Sequence, residues 1–449
     1  MMKFSLLLLL LNLITFSESV TVGCSKCVCA GLTMSCRGIG LTSIPDFDAG
    51  LRLFTRVDLS NNSITSIGAN SFQNLQSLVE LDLSNNYIAT VDAHAFDLVR
   101  NITSLNLRGN QMTILPNLIQ MKKLQVLDVS DNPIRDTAFD SNIMRSLGST
   151  LREFHFGHKT VLTNWPRTTD HLQRLETLDL NGGMIYFIPP NSFSGFESRL
   201  KSLTIQYTKL TATPLLSSLR FLEELHLDHN QFGDYGVLEA TFSSLSLLKV
   251  LSLNDDALTE FPAILKHLPS LTSLSLNGNH FYYISDNAVN ILSGTTIQHL
   301  SLEDCNLDRI PGSIAGVNLN SLIELDLAHN NIISIERSDL DGLRNLQNVS
   351  FAYNPLRYVS TQSLKNLSSL TFLDLGHTDL VTVPIALKNI QHLQTVTFMG
   401  DHIECNCNLI EFQKLQRSKA FAVEGMCETI EVSIVDYLNK FIPNCPDYV

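Results

Sequence analysis

The chain has 449 residues, of which 44% are hydrophobic, and it carries a formal net charge of −13 at pH 7. A chain of this length and apolar content can bury a large core, so the composition excludes an intrinsically disordered protein. The acidic balance argues against partners that are nucleic acids or anionic membrane surfaces.

The amino terminus carries the pattern of an export signal. Lys3 precedes an apolar run from Phe4 to Leu11, and polar residues end the segment at Ser17 to Ser19. This order predicts a signal peptide over residues 1–19. Its apolar core is too short for a membrane helix, and no later stretch approaches the roughly 18 uninterrupted apolar residues that such a helix needs. We therefore expect secretion without membrane insertion.

Eight of the nine cysteines form two terminal groups. The groups are Cys24, Cys27, Cys29 and Cys36 at one end and Cys405, Cys407, Cys427 and Cys445 at the other. In an oxidising compartment, disulfides within such groups stabilise small segments of the chain. The spacing alone allows three pairings within each group. Zinc binding is the rival interpretation. The export signal and the absence of His at ligand spacing argue against it.

Between the two cysteine groups the pattern LxxLxLxxNxL recurs at steps of 22 to 27 residues. Leu78, Leu81, Leu83, Asn86 and Ile88 form one clear copy. The copies begin at Phe54, Leu78, Ile102, Leu124, Leu151, Leu175, Leu200, Leu222, Leu248, Leu271, Ile297, Leu322, Leu346, Leu370 and Leu393. Each xLxL segment predicts a short strand with its leucines turned inward, and successive strands stack into one parallel sheet.

The Asn position of the repeat lies where the chain turns out of the strand inside the stack. Its side chain must therefore satisfy backbone groups that would otherwise be unpaired. Asparagine stands there at Asn62, Asn86, Asn110, Asn132, Asn230, Asn279, Asn330 and Asn354.

The repeats and their cysteine-rich ends resemble the extracellular leucine-rich-repeat family, over everything that follows the signal peptide. The resemblance implies an α/β solenoid, a curved horseshoe with a parallel sheet on the concave face and loops or short helical turns on the convex face. It implies an amino-terminal cap over residues 20–50, a solenoid of about fifteen repeats over 51–402 and a carboxy-terminal cap over 403–449. It also implies the disulfides Cys24–Cys29, Cys27–Cys36, Cys405–Cys427 and Cys407–Cys445.

The ninth cysteine, Cys305, occupies the Asn position of its repeat. The resembling family accepts Cys at this position because a buried thiol can donate weakly to a backbone carbonyl. We expect a buried structural thiol, rather than a reactive group or a link to a second chain.

Two histidine pairs are the candidates for chemistry, His155 with His158 and His226 with His229. The pairs belong to repeats three steps apart, and strands about 4.8 Å apart would separate them by about 15 Å, so they cannot share one metal ion. We expect these histidines to be polar surface residues, with His155 hydrogen-bonded to Asp179 in the next strand. We expect no catalytic residue, metal or cofactor.

Four Asn-x-Ser/Thr triplets are candidate glycosylation sites in an exported chain. They begin at Asn61, Asn101, Asn348 and Asn366. Asn348 would lie on the concave face, where a glycan would screen that part of the sheet.

The outward positions of the strands are strongly acidic. Over fifteen repeats they hold Asp58, Glu80, Asp82, Asp128, Glu153, Asp179, Glu224, Asp228, Glu303, Glu324, Asp326 and Asp374, opposed by Arg56 and Arg108. Part of this excess is generic, because Asp between the two leucines is common in the family. The candidate partner-binding residues are Arg56, Asp58, Glu80, Asp82, Asp128, Glu153, His155, Asp179, Glu224, His226 and Asp228.

These features predict a binding protein with no catalytic site, whose acidic concave face binds an extracellular protein that carries a basic patch. Proteins of the resembling family act in the matrix, in adhesion, in guidance or in immune recognition. The alternative is a noncatalytic accessory or carrier subunit of a secreted enzyme or ligand complex. The sequence leaves the partner's identity and the oligomeric state open.

Overall fold

The computed structural model describes residues 27–47, 49–282, 284, 292, 295–311 and 319–446. The predicted signal peptide and Cys24 lie outside these residues. The chain divides into two compact units, which we call unit 1 and unit 2. Unit 1 comprises Met1–Ile185 and Asn191–Leu200, and unit 2 comprises Tyr186–Pro190 and Lys201–Val449.

Unit 1 is built on short parallel strands that follow an antiparallel hairpin. Its strands are β1 (Val28–Ala30), β2 (Thr33–Ser35), β3 (Arg56–Asp58), β4 (Ser66–Ile67), β5 (Glu80–Asp82), β6 (Thr90–Val91), β7 (Ser104–Asn106), β8 (Val126–Asp128), β9 (Glu153–His158) and β10 (Thr177–Gly182). Strands β1 and β2 form the hairpin, and β2, β3, β5, β7, β8, β9 and β10 then pair in parallel in that order. Strands β4 and β6 form a separate parallel pair.

Unit 2 repeats this arrangement. Its strands are β11 (Ser202–Gln206), β12 (Glu224–His226), β13 (Val250–Ser252), β14 (Ser273–Ser275), β15 (His299–Ser301), β16 (Glu324–Asp326), β17 (Ser334–Ile335), β18 (Asn348–Ser350), β19 (Tyr358–Val359), β20 (Phe372–Asp374), β21 (Thr395–Ile403) and β22 (Ala422–Cys427). All except β17 and β19 pair in parallel in chain order. Strands β17 and β19 pair with each other. Each of the fifteen predicted repeats therefore contributes one strand to these parallel series, and four repeats contain a second, short strand.

Short helices and 3₁₀ turns occupy the arms between strands, as the sequence predicts. The helices of the described residues are α1 (Ser141–Leu147), α2 (Gly233–Gly236), α3 (Glu239–Phe242), α4 (Ile410–Lys419) and α5 (Ile434–Lys440). The 3₁₀ turns are Ala49–Leu51, Asp136–Ala138, Arg167–His171, Ala263–His267, Ile385–Asn389, Cys407–Leu409 and Ile442–Asn444. Asp140 caps α1 because its side chain accepts hydrogen bonds from the first free backbone N–H groups of that helix.

The core of each repeat consists of its motif leucines, stacked on those of the next repeat. Leu78 and Leu83 are completely buried, and the rings of Phe72 and Phe96 stack with their centroids 5.7 Å apart. The Asn position adds polar bonds inside the stack. The Asn86 amide nitrogen donates to the Leu59 and Leu83 carbonyls at 3.0 Å each, so buried backbone oxygens of two repeats share one side chain.

Disulfides lie at both ends of the chain. The structure joins Cys27 to Cys36 next to the β1–β2 hairpin, and it joins Cys405 to Cys427 and Cys407 to Cys445. These are three of the four pairs that the family resemblance implies. Cys29 is also disulfide-bonded, and its expected partner Cys24 lies outside the described residues.

Candidate binding surface

The strand face of unit 1, formed by the outward side chains of β3, β5, β7, β8, β9 and β10, contains a row in which four of six residues are acids. Register pairing aligns the third residues of these six strands, and adjacent strands lie about 4.8 Å apart. The row consists of Asp58, Asp82, Asn106, Asp128, His155 and Asp179. Four of the predicted binding acids are thus brought together on one line.

Three of these acids also hold the turn at the end of their own strand. One carboxylate oxygen of Asp58 accepts from the Ser60 backbone N–H at 2.9 Å, and Asp82 makes the same bond with Ser84 at 2.8 Å. Asp128 bonds both the N–H and the hydroxyl of Ser130. This local bond explains why Asp is frequent at the position, whatever the protein binds. The other oxygen of Asp58 and Asp82 has no such turn bond.

A second row lies beside the first, at the start of the strands. Arg56 Nε lies 3.0 Å from a Glu80 carboxylate oxygen, and both side chains are well exposed, at 61% and 44%. Glu153 is also exposed.

In the first row, His155 Nδ1 lies 3.4 Å from Asp179 Oδ2, which is the sideways contact that the sequence predicts. This hydrogen bond with Asp179 raises the pKa of His155 and outweighs the opposing effect of burial.

The three predicted residues of unit 2 are less uniform. Glu224 is exposed and His226 is half-buried. Asp228 is buried: one of its oxygens accepts from the Ser252 hydroxyl and from the Asn254 N–H at 2.8 Å, and the other accepts from Gln206. Both Asp228 oxygens are therefore occupied within unit 2, and this side chain stabilises the sheet.

Sequence reasoning did not identify two buried acids at the Asn position, Asp256 and Asp401. Asp256 is completely buried, and desolvation raises its pKa to about 8. Burial likewise raises the pKa of Asp401 to about 6. Both residues stand at the Asn position of their repeats, so an alignment of the fifteen repeats at that position could have identified them.

A row of exposed rings in unit 2 was also not anticipated. His329, Tyr353 and His377 stack with ring centroids 4.2 Å apart, and Tyr207 stacks on His229 at 4.1 Å. All five residues have a left-handed backbone, which is unusual for bulky side chains. The row follows from their shared place just before the Asn position.

The four candidate glycosylation residues differ in exposure. Asn61 and Asn101 are exposed. Asn366 is half-buried, and its amide nitrogen donates to Asp341 at 2.8 Å. Asn348 is half-buried on the strand face, within β18.

Within the described ranges, no group of three or more His, Cys, Asp or Glu side chains is arranged to hold a metal ion. Among the same residues, no helix has both the length and the apolar character needed to cross a membrane.

Comparison with protein families identifies the repeats. A model described as leucine rich repeat matches residues 53–112, 295–356 and 320–380, and two further leucine-rich-repeat models match 100–141 and 218–239. The mouse podocan-like protein 1 is 24% identical over 79% of this chain and 66% of its own length. The zebrafish transforming growth factor beta activator LRRC33 is 24% identical over 70% of this chain and 54% of its own length. The chain thus spans between half and two thirds of these two relatives.

Solved structures show the same fold. A leucine-rich-repeat protein of Leptospira interrogans superposes with a TM-score of 0.68 at 23% identity, over 86% of this chain and 94% of its own. The mouse RP105/MD-1 complex gives a TM-score of 0.58 at 19% identity, over 92% of this chain and 82% of the matched chain. The family models match residues 53–141, 218–239 and 295–380, and solved structures share the fold, so the chain contains leucine-rich repeats and has the leucine-rich-repeat fold.

Proposed function

We propose that this chain is a secreted binding protein whose unit 1 strand face binds a cationic patch on an extracellular protein, with no catalytic step of its own. The observation that carries the proposal is the aligned acidic row of Asp58, Asp82, Asp128 and Asp179, flanked by Glu80 and Glu153. Cations on this face are few: Arg56 is paired with Glu80, and Arg108 lies 2.8 Å from Asp131.

An excess of acids along a row of closely spaced strands produces a negative potential that adds over the row. Such a potential steers an oppositely charged partner toward the face and mainly raises the association rate. The turn bonds of Asp58 and Asp82 use one carboxylate oxygen each, so the structural role and the binding role are compatible. Added salt should weaken the interaction, because the screening length is about 8 Å at physiological ionic strength.

Secretion is supported by the disulfides at both ends, since such bonds persist in oxidising compartments. Loss of a native disulfide in a small secreted domain typically costs about 2 to 5 kcal/mol. We expect aggregation when the chain is expressed in a reducing cytosol, and also when Cys407 and Cys445 are both replaced by Ser. Recovery of a soluble monomer of that double variant would contradict the requirement for the carboxy-terminal disulfide.

The partner is to be sought by capture from extracellular fluid with the tagged mature chain, followed by mass spectrometry. The test variant carries Glu80→Lys and Glu153→Lys, because neither side chain holds a strand turn and folding should be preserved. We expect a large fall in the association rate constant with the captured partner and a nearly unchanged melting curve.

A charge-matched control carries Glu260→Lys and Glu431→Lys, two exposed acids away from the strand face of unit 1. It shifts the net charge equally and should bind as the wild type does. Equal association of both double variants, or binding that persists equally at high salt, would move the partner site elsewhere. Capture of an enzyme in fixed stoichiometry would favour the accessory-subunit alternative.

A further inference from the structure

Three surface grooves occur at equivalent turns of three repeats, where a proline follows the strand turn. They contain Pro116, Pro262 and Pro384, and their volumes are about 650, 210 and 420 Å³. All three share the proline turn of the repeat, and the neighbouring segment that completes each groove differs.

The groove at Pro384, here called the terminal groove, lies between the 3₁₀ turn Ile385–Asn389 and helix α4 in unit 2. Its lining is mainly apolar: Val383, Pro384, Leu409, Phe412 and Leu415. Val383, Leu409 and Phe412 are each less than a tenth exposed and form its floor. The side chain of Ile385 stands at the rim, with 64% of its surface exposed. Concave surfaces lined mainly by apolar side chains with a few polar groups are typical of small-molecule sites.

Charge distinguishes the terminal groove from the other two. Its lining includes Lys388 and Lys414, with Glu411 as the one acid, and Glu411 pairs with Lys414 at 3.1 Å. Among the described residues, the Lys388 ammonium group makes no ion pair. By contrast, the groove at Pro262 is lined by the acids Asp234, Glu239 and Glu260, and the groove at Pro116 by Asp140; neither has a lysine in its lining.

The wall that carries Lys388 is fixed to the helix. The Lys419 ammonium group at the end of α4 donates to the Lys388 carbonyl at 3.0 Å and to the Ile390 carbonyl. The groove is therefore largely preformed, and a ligand that fills it need not order its walls. The lining also includes the first turn of α4, where the helix dipole favours negative charge.

We propose that the terminal groove binds a small amphiphilic anion, an alkyl carboxylate. Its chain lies on the floor of Val383, Leu409 and Phe412, and its head group pairs with the ammonium group of Lys388. The volume falls within the roughly 300 to 1,000 Å³ of small-molecule sites, which combine apolar walls with a few charged groups. This site is separate from the unit 1 strand face, so it stands or falls independently of the proposed function.

The test is calorimetric titration of the full mature chain with dodecanoate below its micelle-forming concentration. We expect saturable binding with one site per chain. Lys388→Glu should weaken dodecanoate binding at least tenfold and leave the affinity for uncharged dodecanol nearly unchanged. Ile385→Asp should weaken both ligands, because it places a charge where the alkyl chain enters.

Matched controls are Lys365→Glu and Ile333→Asp, which change an exposed Lys and an exposed Ile of unit 2 outside the groove. Both should bind dodecanoate as the wild type does, and all four variants should keep the wild-type melting temperature. The proposal is overturned if no saturable binding occurs, or if Lys388→Glu binds dodecanoate as tightly as Lys365→Glu does. Equal loss in Ile385→Asp and Ile333→Asp would likewise overturn it, by showing nonspecific adsorption.

Discussion

The Asn position of the repeat is filled differently in the two units. In the first four repeats of unit 1, Asn62, Asn86, Asn110 and Asn132 repeat one pattern: the amide nitrogen donates to backbone carbonyls, and in the last three the amide oxygen accepts an N–H from the preceding repeat. The other two repeats of unit 1 hold Lys159 and Gly183 at this position. In unit 2 the same position holds Thr208, Asn230, Asp256, Asn279, Cys305, Asn330, Asn354, Thr378 and Asp401. The comparison separates what the fold requires at this position from what it tolerates.

The requirement is for hydrogen-bond donors that face inward carbonyls. Asn279 meets it, since its amide nitrogen donates to the Leu253 and Leu276 carbonyls at 2.8 and 2.7 Å. Asp256 has the same shape, but one of its oxygens, Oδ2, takes the place of the amide nitrogen and has no hydrogen-bond partner in the described structure. A carboxyl group can donate there only when it is protonated. Burial, assisted by the nearby charges of Asp228 and Asp255, raises its pKa to about 8 and keeps it neutral at pH 7.

The largest effect is expected where the pattern of unit 1 is broken. Asn110→Leu removes an amide that bonds the Leu83, Leu107 and Arg108 carbonyls and the Ile88 N–H. Each buried group left unpaired costs about 1 to 3 kcal/mol, so the free energy of unfolding should fall by roughly 3 to 6 kcal/mol. Denaturant unfolding measures this loss.

Asn117→Leu is the control for that substitution, because the Asn117 amide nitrogen makes one exposed bond, to the Ala93 carbonyl. It should change the free energy of unfolding by less than about 1 kcal/mol. Similar losses in the two variants would mean that the buried row of asparagines is not what holds the repeats of unit 1 together.

The next effect comes from repairing unit 2. Asp256 has a folded-state pKa of about 8, and an unfolded Asp titrates near pH 3.9. The folded state therefore binds more protons between these values, and its stability falls as pH rises from about 4 to about 8. Asp256→Asn should remove that slope and add on the order of 2 to 4 kcal/mol at pH 7. Melting temperature against pH is the measurement.

The converse substitution tests the same requirement for a donor at the Asn position. Asn279→Asp places an acid at a position where Asn now makes all its bonds. The free energy of unfolding of this variant should fall as pH rises. Asn277→Asp is the matched control, since Asn277 is half-buried just after β14 and its side-chain oxygen accepts from the Ser301 hydroxyl and the Glu303 N–H, which a carboxylate can also do. A pH profile of Asp256→Asn that retains the wild-type slope above pH 5 would show that another group is responsible.

Asp401 offers a smaller version of the effect. Its Oδ1 accepts from the Thr378 N–H and hydroxyl, its Oδ2 has no partner in the described structure, and its pKa is raised to about 6. The destabilisation that Asp401 causes should increase as pH rises from about 4 to about 6 and should then stay constant. We expect Asp401→Asn to stabilise the chain by about 1 to 2 kcal/mol at pH 7, with no further change above that pH. A gain that continues to grow above pH 7 would contradict this window.

The sequence predicts the strands and contacts that depend on a single repeat, or on equivalent positions of adjacent repeats. The leucine period places the strand that begins each repeat, and the contact of His155 with Asp179 follows because both are the third residues of neighbouring strands. The burial of Asp228 could not be predicted, since it depends on Gln206, Ser252 and Asn254 converging from both sides. The terminal groove joins a repeat arm to a helix beyond the next strand, and no period of the sequence relates those two segments.

The smallest effect is expected at Cys305, where the fold already accepts a weaker donor than an amide. The thiol is completely buried, with its sulfur 3.2 Å from the Leu276 carbonyl and 3.4 Å from the Glu303 carbonyl. Burial raises its pKa to about 12, so the thiolate needed for alkylation or disulfide exchange is scarce at neutral pH. Cys305→Asn restores the amide of unit 1 and should change the free energy of unfolding by less than about 1 kcal/mol. The native thiol should resist iodoacetamide until the chain unfolds. A large fall in melting temperature for Cys305→Asn, or rapid alkylation of the folded chain, would show that this position is under a constraint other than hydrogen bonding.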